Sequence, residues 1–249
     1  MRIAIAQLSS VKGAVLKNIE RHKEFIHLAI TLHADLIIFP ELSITGYEPE
    51  LAKDLAMDKN DTRFNDFQML SNSDRITIGV GAPIKTREGT TISMVLFQPQ
   101  KERELYSKQY IHVDEEPFFI SGINSTGLIG AQKDIALAIC YELSVPQHAE
   151  DAFKNGGKIY IASAVKTIAG VEKAITRLAE VATKYSMTVL LANCVGTADG
   201  EVCGGRSSVW NNSGECICQL DDVTEGLLVF DTSTGMVSSH IVSHNQPPR

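Results

Sequence analysis

Four short, almost unbroken apolar runs constrain this chain most: Ala34–Phe39 (ADLIIF), Ile135–Cys140 (IALAIC), Lys158–Ala162 (KIYIA) and Thr188–Cys194 (TVLLANC). Each is too short for an ordinary buried helix, and none alternates as a half-exposed strand would. That is the pattern of strands covered on both faces. Between them lie segments with helical spacing. Lys17–Leu32 places Ile19, Phe25, Ile26, Leu28, Ala29 and Leu32 at roughly helical intervals, and Gly170–Tyr185 gathers Val171, Ala174, Ile175, Leu178, Val181 and Ala182 on one side. Helices are also expected over Asp61–Ser71 and Pro146–Asn155, and a first strand over Arg2–Leu8. Further strands are expected at Ile76–Pro83, Thr90–Gln98, Glu102–Ser107, Ser207–Trp210, Gly214–Leu220 and Glu225–Phe230, and Leu128–Gln132 should pair with the run that ends at Cys140 as a hairpin.

Strands interleaved with helices on both flanks imply an α/β fold in layers, with two sheets face to face and helices outside. A doubly wound single sheet satisfies the same periodicity. The 249 residues, 44% hydrophobic and 21% charged, suit one domain, with a core over about 1–235 and a tail over 236–249.

Charge and cysteine usage narrow the function. A formal net charge of −7, without a run of five like charges, argues against a nucleic-acid partner. The opening Met1-Arg2-Ile3-Ala4-Ile5-Ala6-Gln7 reads as a strand rather than a secretory signal, and no apolar segment approaches the ~20 residues of a membrane span. Five scattered cysteines, Cys140, Cys194, Cys203, Cys216 and Cys218, suit free thiols in a reducing, cytoplasmic setting. Cys216 and Cys218 are too few and too loosely grouped for a metal, and Gly204-Gly205 lacks the Lys-Ser/Thr of a phosphate loop, so no metal or cofactor is expected.

Three residues stand at the C-terminal ends of strands, where α/β sheets gather ligands. Cys140 follows IALAI and precedes a turn closed by Pro146. Glu41 follows IIFP. Lys108 ends LYS. Taken singly, each has an ordinary structural explanation: an inert buried thiol, a loop acid and a surface lysine. Taken together, they resemble the nitrilase superfamily, or carbon–nitrogen hydrolases, whose hallmark is a Glu–Lys–Cys triad in that chain order. The matching motifs here are IIFPELSITGY, LYSKQYIHVDEEPFFISG and IALAICYELSVP; RIAIAQLS, RLAEVATKYSMTVLLANCVG and GGRSSVWNNSGECICQL extend the likeness over most of Met1–Asp231.

The resemblance implies a four-layer α-β-β-α sandwich that assembles as a homodimer or a higher homo-oligomer. It implies Cys140 as nucleophile, Glu41 as base and Lys108 as the cation beside them. A supporting second glutamate, counted back from Gly122, falls at Glu115, with Glu116 one residue out of phase. Tyr47, Tyr141 and Glu142 are expected to border the substrate, Tyr141 also through its backbone N–H, while for Glu142 a structural acid that anchors a neighbouring backbone or Arg is favoured over a catalytic one. His112 is expected as a loop hydrogen-bonder.

Two departures bear on substrate. Glu142-Leu143-Ser144-Val145-Pro146 lacks the Arg with which several amidase branches hold a carboxylate, and Ala164-Val165-Lys166-Thr167 lacks the aromatic residues some members carry there. The expectation is a cofactor-free hydrolase of a small amide or N-carbamoyl compound. Nitrile hydrolysis and acyl transfer are open to the same triad. A binding module keeping the fold, or a redox-sensing thiol protein, would not need all three residues.

Overall fold

A computed structural model describes residues 1–123 and 128–242. The expected tail residues 243–249 lie outside the described residues. The chain begins with β1 (Arg2–Gln7), α1 (Val15–Thr31) and β2 (Leu36–Ile38), followed by a short helix α2 (Ala52–Leu55) and α3 (Asn65–Asp74). A meander follows: β3 (Thr77–Lys85), β4 (Thr90–Phe97) and β5 (Glu104–Ser107). The second half runs β6 (Leu128–Ile129), β7 (Ile135–Ile139), α4 (Pro146–Lys154), β8 (Ile159–Ser163), α5 (Ile168–Tyr185) and β9 (Thr188–Ala192). A small ribbon, β10 (Thr197–Ala198) with β11 (Glu201–Val202), precedes β12 (Ser208–Trp210), β13 (Cys216–Gln219), β14 (Gly226–Asp231) and β15 (Val237–Ile241).

Seven strands form one sheet in the order β15-β14-β1-β2-β3-β4-β5, and six form another in the order β13-β12-β9-β8-β7-β6. The centre of each sheet is parallel: β1, β2 and β3 in the first, β7, β8 and β9 in the second. The four apolar runs are β2, β7, β8 and β9, so each lies in the parallel part of a sheet, where both faces are covered.

The alternation of side chains builds the layers. Ile3, Ile5, Leu36, Ile38, Ile92, Met94 and Leu96 point from the seven-stranded sheet into one buried cluster with Leu137, Ile161 and Leu190 of the other sheet. Their neighbours Ala4, Ala6, Ile37, Val95 and Phe97 point the opposite way, into a second cluster with Ile19, Phe25 and Ile26 of α1 and Phe67 of α3. On the far side of the six-stranded sheet, Ala149 and Ala152 of α4 and Ala174, Leu178 and Val181 of α5 complete the first cluster. The order is helix, sheet, sheet, helix, and the doubly wound alternative is excluded.

The segment after β14 differs from the expected tail. β15 extends the seven-stranded sheet antiparallel to β14, pairing Val237 with Phe230 through to Ile241 with Gly226. Its half-exposed, Ser-rich pattern carries little hydrophobic signal, and the backbone ladder supplies what the side chains do not.

Candidate active site

The parallel registers of the two sheets bring their strand ends together. Glu41 lies three residues beyond β2, and Lys108 directly follows β5. Cys140 directly follows β7 and opens a short 3-10 turn, Cys140–Ser144. Glu41 and Lys108 belong to the seven-stranded sheet and Cys140 to the other, so the group spans the interface between layers.

Each side chain is held by local structure with an identifiable cause. The Glu41 segment crosses close over β3 at Gly81, where a Cβ would lie 2.4 Å from Leu42 N and 2.5 Å from Pro40 O. Only glycine permits that approach. The segment is tied down by Ile44 N donating to Gly81 O (3.0 Å) and, across the layers, by Ser163 Oγ donating to Phe39 O (2.8 Å). From α1, Asn18 holds the Val11 backbone and Ile44 O, while His22 contacts Ser43 Oγ at 2.9 Å. Lys108 is fixed by Lys108 N to Ile92 O (2.8 Å) and Gly122 N to Lys108 O (2.7 Å). Gly122 sits against Ser107, whose Cβ lies 2.5 Å from where a glycine Cβ substituent would be.

Cys140 adopts φ +44°, a left-handed backbone unusual for a side chain with a Cβ. The turn presents its thiol above the sheet, with Sγ 3.6 Å from Val165 O. Lys108 Nζ donates to Glu41 Oε1 at 2.8 Å and to Glu115 Oε1 at 2.7 Å, and all three side chains are buried. Tyr47 Oη donates to Glu115 Oε1 (2.9 Å), and His112 N donates to Glu115 Oε2 (2.9 Å). Glu115 rather than Glu116 faces the lysine. Glu41 Oε2 is buried with no fixed donor among the described residues, and the Cys140 thiol is within reach of that carboxylate.

The electrostatics follow from burial. Burial raises the pKa of Glu41; Lys108 opposes this, Glu115 adds to it, and the net shift is upward. Burial works against the Lys108 ammonium, but Glu41, Cys140 and Glu115 together outweigh it and keep the lysine charged. Burial also pushes the Cys140 thiol up, with Glu41 adding to the shift, while Lys166 and then Lys108 work the other way. A protonated thiol beside a carboxylate is an arrangement in which a proton can pass from sulfur to oxygen.

One expected pocket residue, Glu142, takes the anchoring role instead. Glu142 does not face a substrate space. It is fully buried, accepting from Gln109 N (2.6 Å), Ile139 N (2.7 Å) and Tyr106 Oη (2.7 Å). It ties the lysine loop to the thiol turn. Tyr141 is half-buried, its ring edge-on to His112 at 5.0 Å between centroids.

Lys166, which the sequence reading did not single out as a site residue, also lies beside the thiol turn. It directly follows Val165, whose carbonyl the Cys140 thiol faces at 3.6 Å, and burial of its ammonium is outweighed by the nearby Cys140 and Glu41, which hold its pKa up. The available signal was its place three residues beyond β8, the same kind of strand-end position that singled out Glu41, Lys108 and Cys140. Among the described residues no cluster of His, Cys, Asp or Glu is arranged to hold a metal, and no helix is long and apolar enough to cross a membrane.

The arrangement can be set beside known proteins. Residues 2–240 match the model of the carbon–nitrogen hydrolase family. The glutamine-dependent NAD(+) synthetase of Acinetobacter baylyi is 26% identical over 235 residues, covering 91% of this chain and 43% of that protein. The Thermotoga maritima protein of the same name is 24% identical over 226 residues, covering 87% and 39%. The chain thus spans less than half the length of these curated relatives. Among solved structures, a variant of the amidase from Nesterenkonia sp. AN1 in complex with butyramide superposes with a TM-score of 0.82 at 22% identity, covering 92% of this chain and 89% of that one. Another variant of that amidase, described as from the nitrilase superfamily, gives the same TM-score of 0.82. With the family model matched over nearly its whole length, the chain belongs to the carbon–nitrogen hydrolase family.

Proposed function

We propose that this protein hydrolyses a small carboxamide or N-carbamoyl compound through an acyl-enzyme on Cys140. The observation that carries the reading is the Glu41 carboxylate: one oxygen is bound by Lys108, while the other is buried, without a fixed donor among the described residues, beside the thiol. In the proposed mechanism Glu41 takes the thiol proton, and the sulfur then attacks the carbonyl carbon. The oxyanion of the tetrahedral intermediate is met by the Lys108 ammonium and by the Tyr141 backbone N–H at the start of the turn, where helical N–H groups lack internal partners. Protonated Glu41 then delivers its proton to the departing amine, and the C–N bond breaks. Water activated by Glu41 releases the acid from sulfur, so one carboxylate serves as acid and base in turn. Glu115, held by Tyr47 and the His112 backbone, keeps Lys108 aimed at the reacting centre.

Support for an amide substrate comes from the family and from the butyramide-bound amidase, and glutamine belongs among the test compounds because the curated relatives are glutamine-dependent. The experiment is ammonia release from a panel of small amides, glutamine, N-carbamoyl amino acids and nitriles. The expected result is release from one amide-like class by the native protein and none by Cys140→Ala. Equal turnover by that variant would remove the thiol from the mechanism.

A further inference from the structure

We propose that Lys166 is a second catalytic cation, which holds the Cys140 sulfur as a thiolate once Glu41 has taken its proton. This rests on the reading of Cys140 as the nucleophile and assigns a role to a residue outside the Glu–Lys–Cys set.

The position of Lys166 is built. β7 and β8 run parallel with Ile139 opposite Ser163, so the chain leaving β8 passes beside the thiol turn. The backbone of Lys166 is gripped from both sides by one buried side chain: Lys166 N donates to Asn193 Oδ1 (2.8 Å), and Asn193 Nδ2 donates to Lys166 O (3.3 Å). Gly204 N also donates to Lys166 O, at 2.8 Å. Asn193 is itself fixed, through Asn193 N to Ser207 Oγ (3.0 Å) and Asn193 Nδ2 to Gly205 O (2.8 Å). The preceding carbonyl, Val165 O, is the group the thiol faces at 3.6 Å. The side chain is half-buried, and no carboxylate of the described residues forms an ion pair with it. With Val165 O against the thiol, the Lys166 side chain leaves the backbone one residue from that contact, and Cys140 and Glu41 are the groups that favour its charged form.

Charge balance shows why a second cation is useful. Lys108 is already shared between two carboxylates, Glu41 and Glu115, so these three leave one uncompensated negative charge around the thiol. Forming a thiolate there is costly in a buried setting. Lys166 brings the group to neutrality. In the step proposed, the S–H bond breaks and an O–H bond forms on Glu41. The electron pair stays on sulfur beside the Lys166 ammonium. The total charge is unchanged by the transfer, and sulfur then forms its bond to the carbonyl carbon.

The test reads the thiol directly and needs no substrate. The rate of Cys140 alkylation by iodoacetamide is followed against pH by intact mass, with Cys140→Ser as background for the other thiols. In Lys166→Met the rate at pH 7 is expected to fall about 10–100-fold and the profile to move about 1–2 pH units upward, because an opposite charge of this kind is worth that much to a thiolate. Lys166→Arg should restore most of the rate. An unchanged profile in a Lys166→Met protein with native circular dichroism would overturn the proposal. If that variant does not fold, Lys166→Gln is read the same way, with the same outcomes. Fast, Lys166-dependent alkylation in a protein that releases no ammonia from any amide would sink the hydrolase reading and leave this one standing.

Discussion

At Cys140 two unfavourable features meet: a left-handed φ of +44° and a thiol buried among carboxylates. Backbone strain of that kind costs about 1–3 kcal/mol and persists only where surrounding contacts over-determine it. Glu142 supplies one such contact by accepting from Ile139 N directly before the turn. In the proposed mechanism the neighbouring Glu41 sets the pH behaviour. It must be ionised to accept the thiol proton, and its pKa is raised above 4.5, so activity present at neutral pH is expected to be lost as pH falls through that raised value. Lys108 is shifted upward from 10.5, so its deprotonation should not limit activity between pH 7 and 9. A kcat/KM profile for the responding amide checks both limbs. Glu41→Gln should reduce kcat by at least ~10²–10⁴ and remove the acid limb from what remains. An acid limb that survives in Glu41→Gln would assign it to another group.

Elements act here through their ends. β2, β5, β7 and β8 deliver Glu41, Lys108, Cys140 and Lys166, and small residues let the connecting segments lie close. Glu142 is the tie between two of these ends, because one carboxylate serves Gln109 N just after Lys108 and Ile139 N just before Cys140. Glu142→Ala would leave the buried Ile139 N–H, the part-buried Gln109 N–H and the Tyr106 hydroxyl without the acceptor they share. The expected loss is on the order of 3–5 kcal/mol in urea unfolding, since each unmet buried group costs roughly 1–3 kcal/mol. Activity should fall even under conditions where the variant remains folded, because both strand ends lose their common anchor. Stability within 1 kcal/mol of the native protein would show that Glu142 is not the anchor described.

At the scale of the molecule, neighbouring elements are also joined by buried histidines whose charged forms the core cannot accept. Burial lowers His22 to about 4, and it lowers His148 to about 4 as well. His22 packs α1 on the Glu41 segment, and His148 lies between Tyr106 Oη (2.7 Å) and Tyr160 Oη (2.8 Å), bridging the sheets. Their unfolded-state value is near 6.5, so the unfolded chain binds more protons below that pH. Stability is therefore full above pH 6.5 and falls as pH drops toward 4, by on the order of 3 kcal/mol for each histidine. Urea midpoints between pH 7 and 4.5 measure this. A midpoint that stays flat across the range would mean that neither ring is held neutral by the core.

The buried strands were legible because β2, β7, β8 and β9 are covered on both faces, which leaves an apolar run that local sequence displays. Glu41 and Cys140 were legible at the ends of such runs and Lys108 at the end of the meander strand β5, and their order carried the resemblance. β15 was not, because a half-exposed edge strand is held by backbone pairing that leaves little mark on side-chain pattern. Nor was the partner of Glu142, or of Lys166: the groups that meet them are separated in sequence and become neighbours only when strand register and sheet packing are set. The sequence alone determined which strands are buried and which chemical groups end them. Only the tertiary structure decided which groups touch, because charge pairing and desolvation depend on distances of a few ångströms between segments that no local pattern relates.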